Sequence, residues 1–136
     1  MKKKTKRKEK KYIDIFIEIY KMNLIIFWDS TGEEIAKYVK KYSKLDSESI
    51  KDLNKDINSG CAGFSGSLYK DGIDKIIWLK EKPEKVHTFG VLYHELHHAV
   101  EFIADDKGFN GSSITSKEAK AYLFEYIVNY CNTKLW

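Results

Sequence analysis

Proline occurs once in the 136 residues and cysteine only twice, at positions 61 and 131. So little proline excludes collagen-like and proline-rich classes. Two cysteines, neither in a CxxC pair, are too few for a disulfide framework, and this usage fits a reducing compartment. Long apolar runs are missing from the segment after the basic start: its longest charge-free stretch is seven residues, 22–28. That is too short to cross a bilayer and makes a poor signal-peptide core, so neither membrane insertion nor export by that route is expected.

What remains is 43% apolar and 32% charged, enough for one compact domain. The formal charge of +4 is unevenly spread: positions 2–11 hold eight Lys or Arg against Glu9, leaving 16 basic and 19 acidic residues elsewhere. The division is therefore a basic arm over 1–11 and a mildly acidic domain over 12–136. A run of like charge at a terminus reads first as a solvated tail, and second as a source of weak, sequence-independent nucleic-acid contact. Neither a recognition helix nor an aromatic platform is visible beside it.

Over 12–20, Ile13, Ile15, Ile17 and Ile19 alternate with Asp14, Phe16, Glu18 and Tyr20, predicting a strand, and 24–28 predicts a second joined to it by a hairpin. Ser30 three residues before Glu33 predicts a cap and a helix over about 31–43. A short helix is allowed within 44–59. Phe64 and Leu68, Asp71-Gly72 and the run 76–79 predict two strands around a turn. A long amphipathic helix follows over about 84–104, ending before Gly108, and a last helix spans about 116–131. Strands before helices without regular alternation predict an α+β domain, with the long helix and the C-terminal helix packed on a small, mostly antiparallel sheet.

The long helix carries His94-Glu95-Leu96-His97-His98, an instance of HExxH. Four residues turn the helix by about 400°, so His94 and His98 lie about 40° apart and about 6 Å along the axis, close enough to meet at one ion. Zinc accepts such nitrogens, and Glu95, on a neighbouring side, is placed to act on a water rather than to bind the metal. Flanking Leu92, Leu96, Ala99 and Ile103 place the motif on a helix packed into the core. The competing reading is a polar, solvated helix face. His97 is an alternative to His98, although the HExxH register leaves Glu95 better placed with His98.

A catalytic zinc usually takes three protein ligands. Glu118, opening the last helix beside Ala119 and Ala121, is the favoured third; its competing role is a capping partner of Thr115. Rivals are Glu101, Asp105, Asp106, Glu125 and His87, with Cys61 as a remote soft ligand. Tyr122, one turn beyond Glu118, is the candidate donor to a developing oxyanion. Glycines 60, 63 and 66 make 60–68 a candidate edge on which an extended peptide substrate would lie.

The stretch 91–103 with 117–128 resembles zincin-type metallopeptidases that use a glutamate as third ligand, and more narrowly small metallopeptidase-like proteins of bacteriophages and prophages. That resemblance implies a zincin-like fold, zinc held by His94, His98 and Glu118, Glu95 as general base and acid, a peptide or protein substrate, and a setting in the bacterial host cytoplasm or the phage particle. The alternative is a non-catalytic zincin-like binding or virion-associated module in which zinc is structural.

Overall fold

The computed structural model describes residues 9–42, 44–68 and 74–135. Most of the basic arm and the expected Asp71-Gly72 turn lie outside them. The element order is β1 (Tyr12–Ile17), a 3-10 turn (Glu18–Tyr20), β2 (Met22–Trp28), α1 (Gly32–Val39), α2 (Ser47–Ile57), β3 (Gly63–Ser67), β4 (Lys75–Leu79), α3 (Val86–Lys107) and α4 (Ile114–Leu135). This is an α+β domain whose single sheet has the order β1-β2-β4-β3.

β1 and β2 form the expected antiparallel hairpin, with Ile15 opposite Leu24. Its connection differs from expectation: the chain leaves β1 in the 3-10 turn and Lys21 adopts φ 51°. β3 and β4 are also antiparallel, but β2 and β4 run parallel, with Ile26 opposite Ile77. The sheet is therefore mixed. Its two central strands are the two unbroken apolar runs, LIIFW and IIWL, which bury side chains on both faces.

That double burial is met by helices on both sides of the sheet. On one face Ile13, Ile15, Leu24, Ile26, Ile77 and Leu79 pack against Leu92, Leu96, Ala99 and Ile103 of α3 and Leu123, Ile127 and Cys131 of α4. On the other, Ile25, Phe27, Ile76 and Trp78 pack against Ile35 and Val39 of α1. α3 lies along β3 and β4, and α4 along β1.

Helix ends follow local chemistry. Thr31, not Ser30, caps α1, exchanging hydrogen bonds with Glu34 in a capping box. Asp46 caps α2. α3 begins where the Thr88 hydroxyl accepts from the amides of Glu84 and Lys85, and it stops at Gly108, whose φ of 76° suits a residue without Cβ. Ser113 receives the amide of Ser116 at 3.1 Å at the start of α4. Thr115 thus lies inside the helix, and the capping role weighed for Glu118 has no partner there.

Candidate metal centre

Leu92, Leu96, Ala99 and Ile103 are fully buried and fix which side of α3 meets the sheet. The helical repeat then turns His94 and His98 outward, and both are exposed. Their Nε2 atoms stand 3.1 Å apart, with the rings at 82°. Two nitrogens bound to one tetrahedral zinc at about 2.0–2.1 Å would lie about 3.3 Å apart, so the pair already has nearly the spacing of a chelate.

Glu95 turns the other way, toward the sheet edge. It is only 7% exposed. No protein group bonds its carboxylate among the described residues, yet no buried side-chain oxygen there is left unsatisfied, so the carboxylate oxygens reach solvent while the stem is buried. Gly63 of β3 is what lets it sit there. A Cβ on Gly63 would come within 2.9 Å of the Trp78 carbonyl oxygen and 3.3 Å of Glu95 Cγ. A side chain there would press first on the backbone of β4 and then on Glu95.

β3 is the outer strand, and among the described residues it pairs only with β4. Its other edge is open beside the helix that carries the histidines. Phe64 points away from them and stacks on Trp78 at 5.4 Å in the α1 face of the sheet, so its role is packing. Where β3 ends, buried Lys75 donates to the Ser67 hydroxyl at 3.0 Å and pairs with Asp106, tying the strand pair to the last turn of α3. Nothing in the sequence pattern marks Lys75 for burial, since it opens the run IIWL like an ordinary flanking charge.

The remaining candidates are not gathered with the two imidazoles. Among the described residues no group of three His, Cys, Asp or Glu side chains is placed to hold a metal. Glu101 binds Lys120 at 3.1 Å, Asp105 accepts from Asn110 at 2.6 Å, and Asp106 is taken by Lys75. The hydrogen bond from Lys120 holds the Glu101 carboxyl below the usual carboxylate range, with the charges of Lys120 and His97 adding to it. His87 is exposed and 3.9 Å from Glu81. His97 is exposed, with its ring 6.3 Å from that of His98. Cys61 packs with the α1 face. Burial pushes the Cys131 thiol up to about 12, and the side chain packs in the apolar cluster between α4 and the sheet.

Glu118 is exposed near the start of α4. The contacts of Tyr93 with Asn132 and of Glu101 with Lys120 set α3 and α4 antiparallel. The part of α4 opposite His94 and His98 therefore falls between Lys120 and Asn132, and Glu118 lies outside that interval. Tyr122 is 66% exposed and lines a groove with Ile17, Ile19 and Tyr126 at the β1 edge. Glu95 packs at the β3 edge, so the two residues expected to share catalysis sit at opposite edges of the sheet. Each helix covers a different end of it, and that separates them.

No family model, curated protein or solved structure matches this chain. The functional reading therefore stands on the geometry of α3 and β3.

Proposed function

We propose that the chain is a zinc-dependent peptidase of zincin-like organisation, with His94 and His98 as metal ligands and Glu95 as the proton-transferring group. The observation that carries this reading is the pairing of two imidazole nitrogens 3.1 Å apart with a largely buried glutamate on the residue after His94, whose carboxylate bonds no protein group among the described residues. The imidazoles fit one edge of a zinc coordination sphere; among the described residues the third protein ligand is not assembled beside them. A zinc bound there would supply a water of lowered pKa and polarise a carbonyl.

This chain's own residues do the rest. Glu95, buried against Gly63, takes a proton from the attacking water and returns it to the departing amine. The open edge of β3 offers backbone N–H and C=O groups to an extended peptide, which binds as an added strand alongside the helix. Glycines at 63 and 66 leave that edge clear of large side chains.

The test is cleavage of a mixed peptide library by zinc-loaded protein. Wild type should cleave, and Glu95→Gln should bind zinc yet fall by at least about a hundredfold in rate. Equal rates in the two proteins would remove Glu95 from the reaction. Zinc binding with no cleavage by either would favour a zincin-like binding module.

A further inference from the structure

β1 is the outer strand at the other end of the sheet from β3. The Lys11 carbonyl accepts from the Trp28 amide at 3.0 Å, and the β1–β2 register repeats that orientation at every second residue. The backbone N–H and C=O groups of Tyr12, Asp14 and Phe16 therefore point away from β2. The carbonyls of Asp14 and Phe16 receive only long contacts from α4, the Tyr130 hydroxyl at 3.5 Å and the Tyr126 hydroxyl at 3.4 Å. The three amides have no acceptor among the described residues. An edge strand is ordinarily kept from pairing further by a lysine, a proline or a bulge. β1, with the sequence YIDIFI and an unbroken register, has none of these.

The same edge exposes apolar surface. Phe16, Ile19, Tyr122 and Tyr126 are all open to solvent, Ile19 by 79%. The last three line a groove of about 690 Å3 with Ile17 and Leu123. Tyr122 and Tyr126, one turn apart, form a second stripe on α4 beside Leu123, Ile127 and Cys131, the stripe that packs on the sheet. Free backbone groups and an uncovered helix stripe thus face the same way.

We propose that this edge is a two-fold interface between two copies of the chain, with β1 pairing antiparallel to β1 of the second copy to make one eight-stranded sheet. The strand and its flanks are complementary to themselves. A two-fold axis through Asp14 sets Tyr12 opposite Phe16 of the second copy and Lys10 opposite its Glu18, each pair occurring twice. Lys10 and Glu18 are exposed, and neither has an ion-pair partner among the described residues. The two Asp14 carboxylates approach near the axis already held, each by the Tyr38 and Tyr42 hydroxyls, with Lys41 at 3.7 Å. Because α4 lies along β1, the two α4 helices come side by side on one face and cover the tyrosine stripe. An unrelated peptide could use the free amides but has no reason to match these charges. The interface leaves the β3 edge open and involves neither His94 nor His98, so its test is independent of the peptidase reading.

The experiment is sedimentation velocity of the metal-free full chain over a range of concentrations, with amide hydrogen exchange read at both ends of the range. Wild type should pass from monomer to dimer, and the Asp14 and Phe16 amides should gain at least about tenfold in protection as it does. Phe16→Lys and Tyr126→Lys, both at exposed positions, should each raise the dimer dissociation constant at least about tenfold, with circular dichroism confirming the fold. Glu18→Lys should raise it about fivefold, since the axis repeats the loss, and adding Lys10→Glu should restore the wild-type value. The proposal is overturned by a chain still monomeric at about 0.5 mM, by a dimer indifferent to Phe16→Lys and Tyr126→Lys, or by a dimer whose Asp14 and Phe16 amides exchange as in the monomer. A dimer that forms only when zinc is added would also overturn it, placing the contact at the histidines.

Discussion

On one side of the sheet, two 22-residue helices bury a continuous apolar cluster against β1, β2 and β4. On the other, α1 has eight residues and α2 eleven, and polar contacts share the work with a smaller cluster. Asp14 accepts from Tyr38 at 2.7 Å, Tyr42 at 2.6 Å and Asn23 at 2.8 Å, and Asn54 accepts from the Gly32 amide at 2.8 Å. The apolar side holds the histidine helix rigidly, because close-packed side chains resist any shift of α3 along the strands. The polar side keeps its carboxylate and phenols near water, where lysines gather. One sheet thus supports a large face held by apolar packing and a smaller face held in part by polar contacts.

The contrast breaks most sharply at Leu96, fully buried between the histidines. Leu96→Ala should lower unfolding free energy by about 2–5 kcal/mol in urea denaturation. A loss below about 1 kcal/mol would mean that the α3 face is not the better packed of the two. Asp14→Ala, on the other face, should cost about 1–3 kcal/mol by leaving the Tyr38 and Tyr42 hydroxyls without their shared acceptor.

The strand between β4 and solvent gives a third comparison. Gly63→Ala should cost about 1–2 kcal/mol, because its methyl group must displace the Trp78 carbonyl or Glu95. It should also reduce peptide cleavage more than zinc binding. Gly66, where a Cβ would meet nothing within 4 Å, should tolerate alanine with little change in either.

The smallest effect is in pH. Burial, with Asp14 adding to it, pushes the Tyr42 phenol up to about 12 from its ordinary 10.0. A group whose folded pKa is raised contributes stability in full below its unfolded value, and that contribution is lost as pH climbs through the folded one. Stability should therefore decline between about pH 10 and about pH 12. In Asp14→Asn the decline should be shallower, as followed by tyrosinate absorbance during denaturation.

Much of this is legible in the sequence wherever a periodic pattern meets a single environment. The alternation of Ile13, Ile15 and Ile17 marks one buried face of β1, and the HExxH spacing brings His94 and His98 together. The runs LIIFW and IIWL also carry their message, burial on both faces, but a continuous apolar run shows neither strand direction nor which helix covers which side. That is why the parallel β2–β4 pairing and the layer formed by α1 and α2 do not emerge from the pattern. Sequence spacing relates Glu118 and Tyr122 only to one another, one turn apart on α4. Their relation to α3 depends on helix register, which is set by contacts such as Glu101 with Lys120 that no spacing reveals. Gly63 is visible in the sequence only as part of a glycine-rich stretch; its contact with Glu95 comes from strand order.

The most direct measurement is a calorimetric zinc titration of metal-stripped protein, run in parallel on wild type, His94→Ala, His98→Ala and Glu118→Gln, with folding checked by circular dichroism. The account predicts one zinc per chain in wild type and at least about a hundredfold weaker binding in each histidine variant, with Glu118→Gln changing affinity by less than about tenfold. Wild-type protein that takes up no zinc, or histidine variants that bind it as tightly as wild type, would contradict the claim that the His94–His98 pair is a metal site.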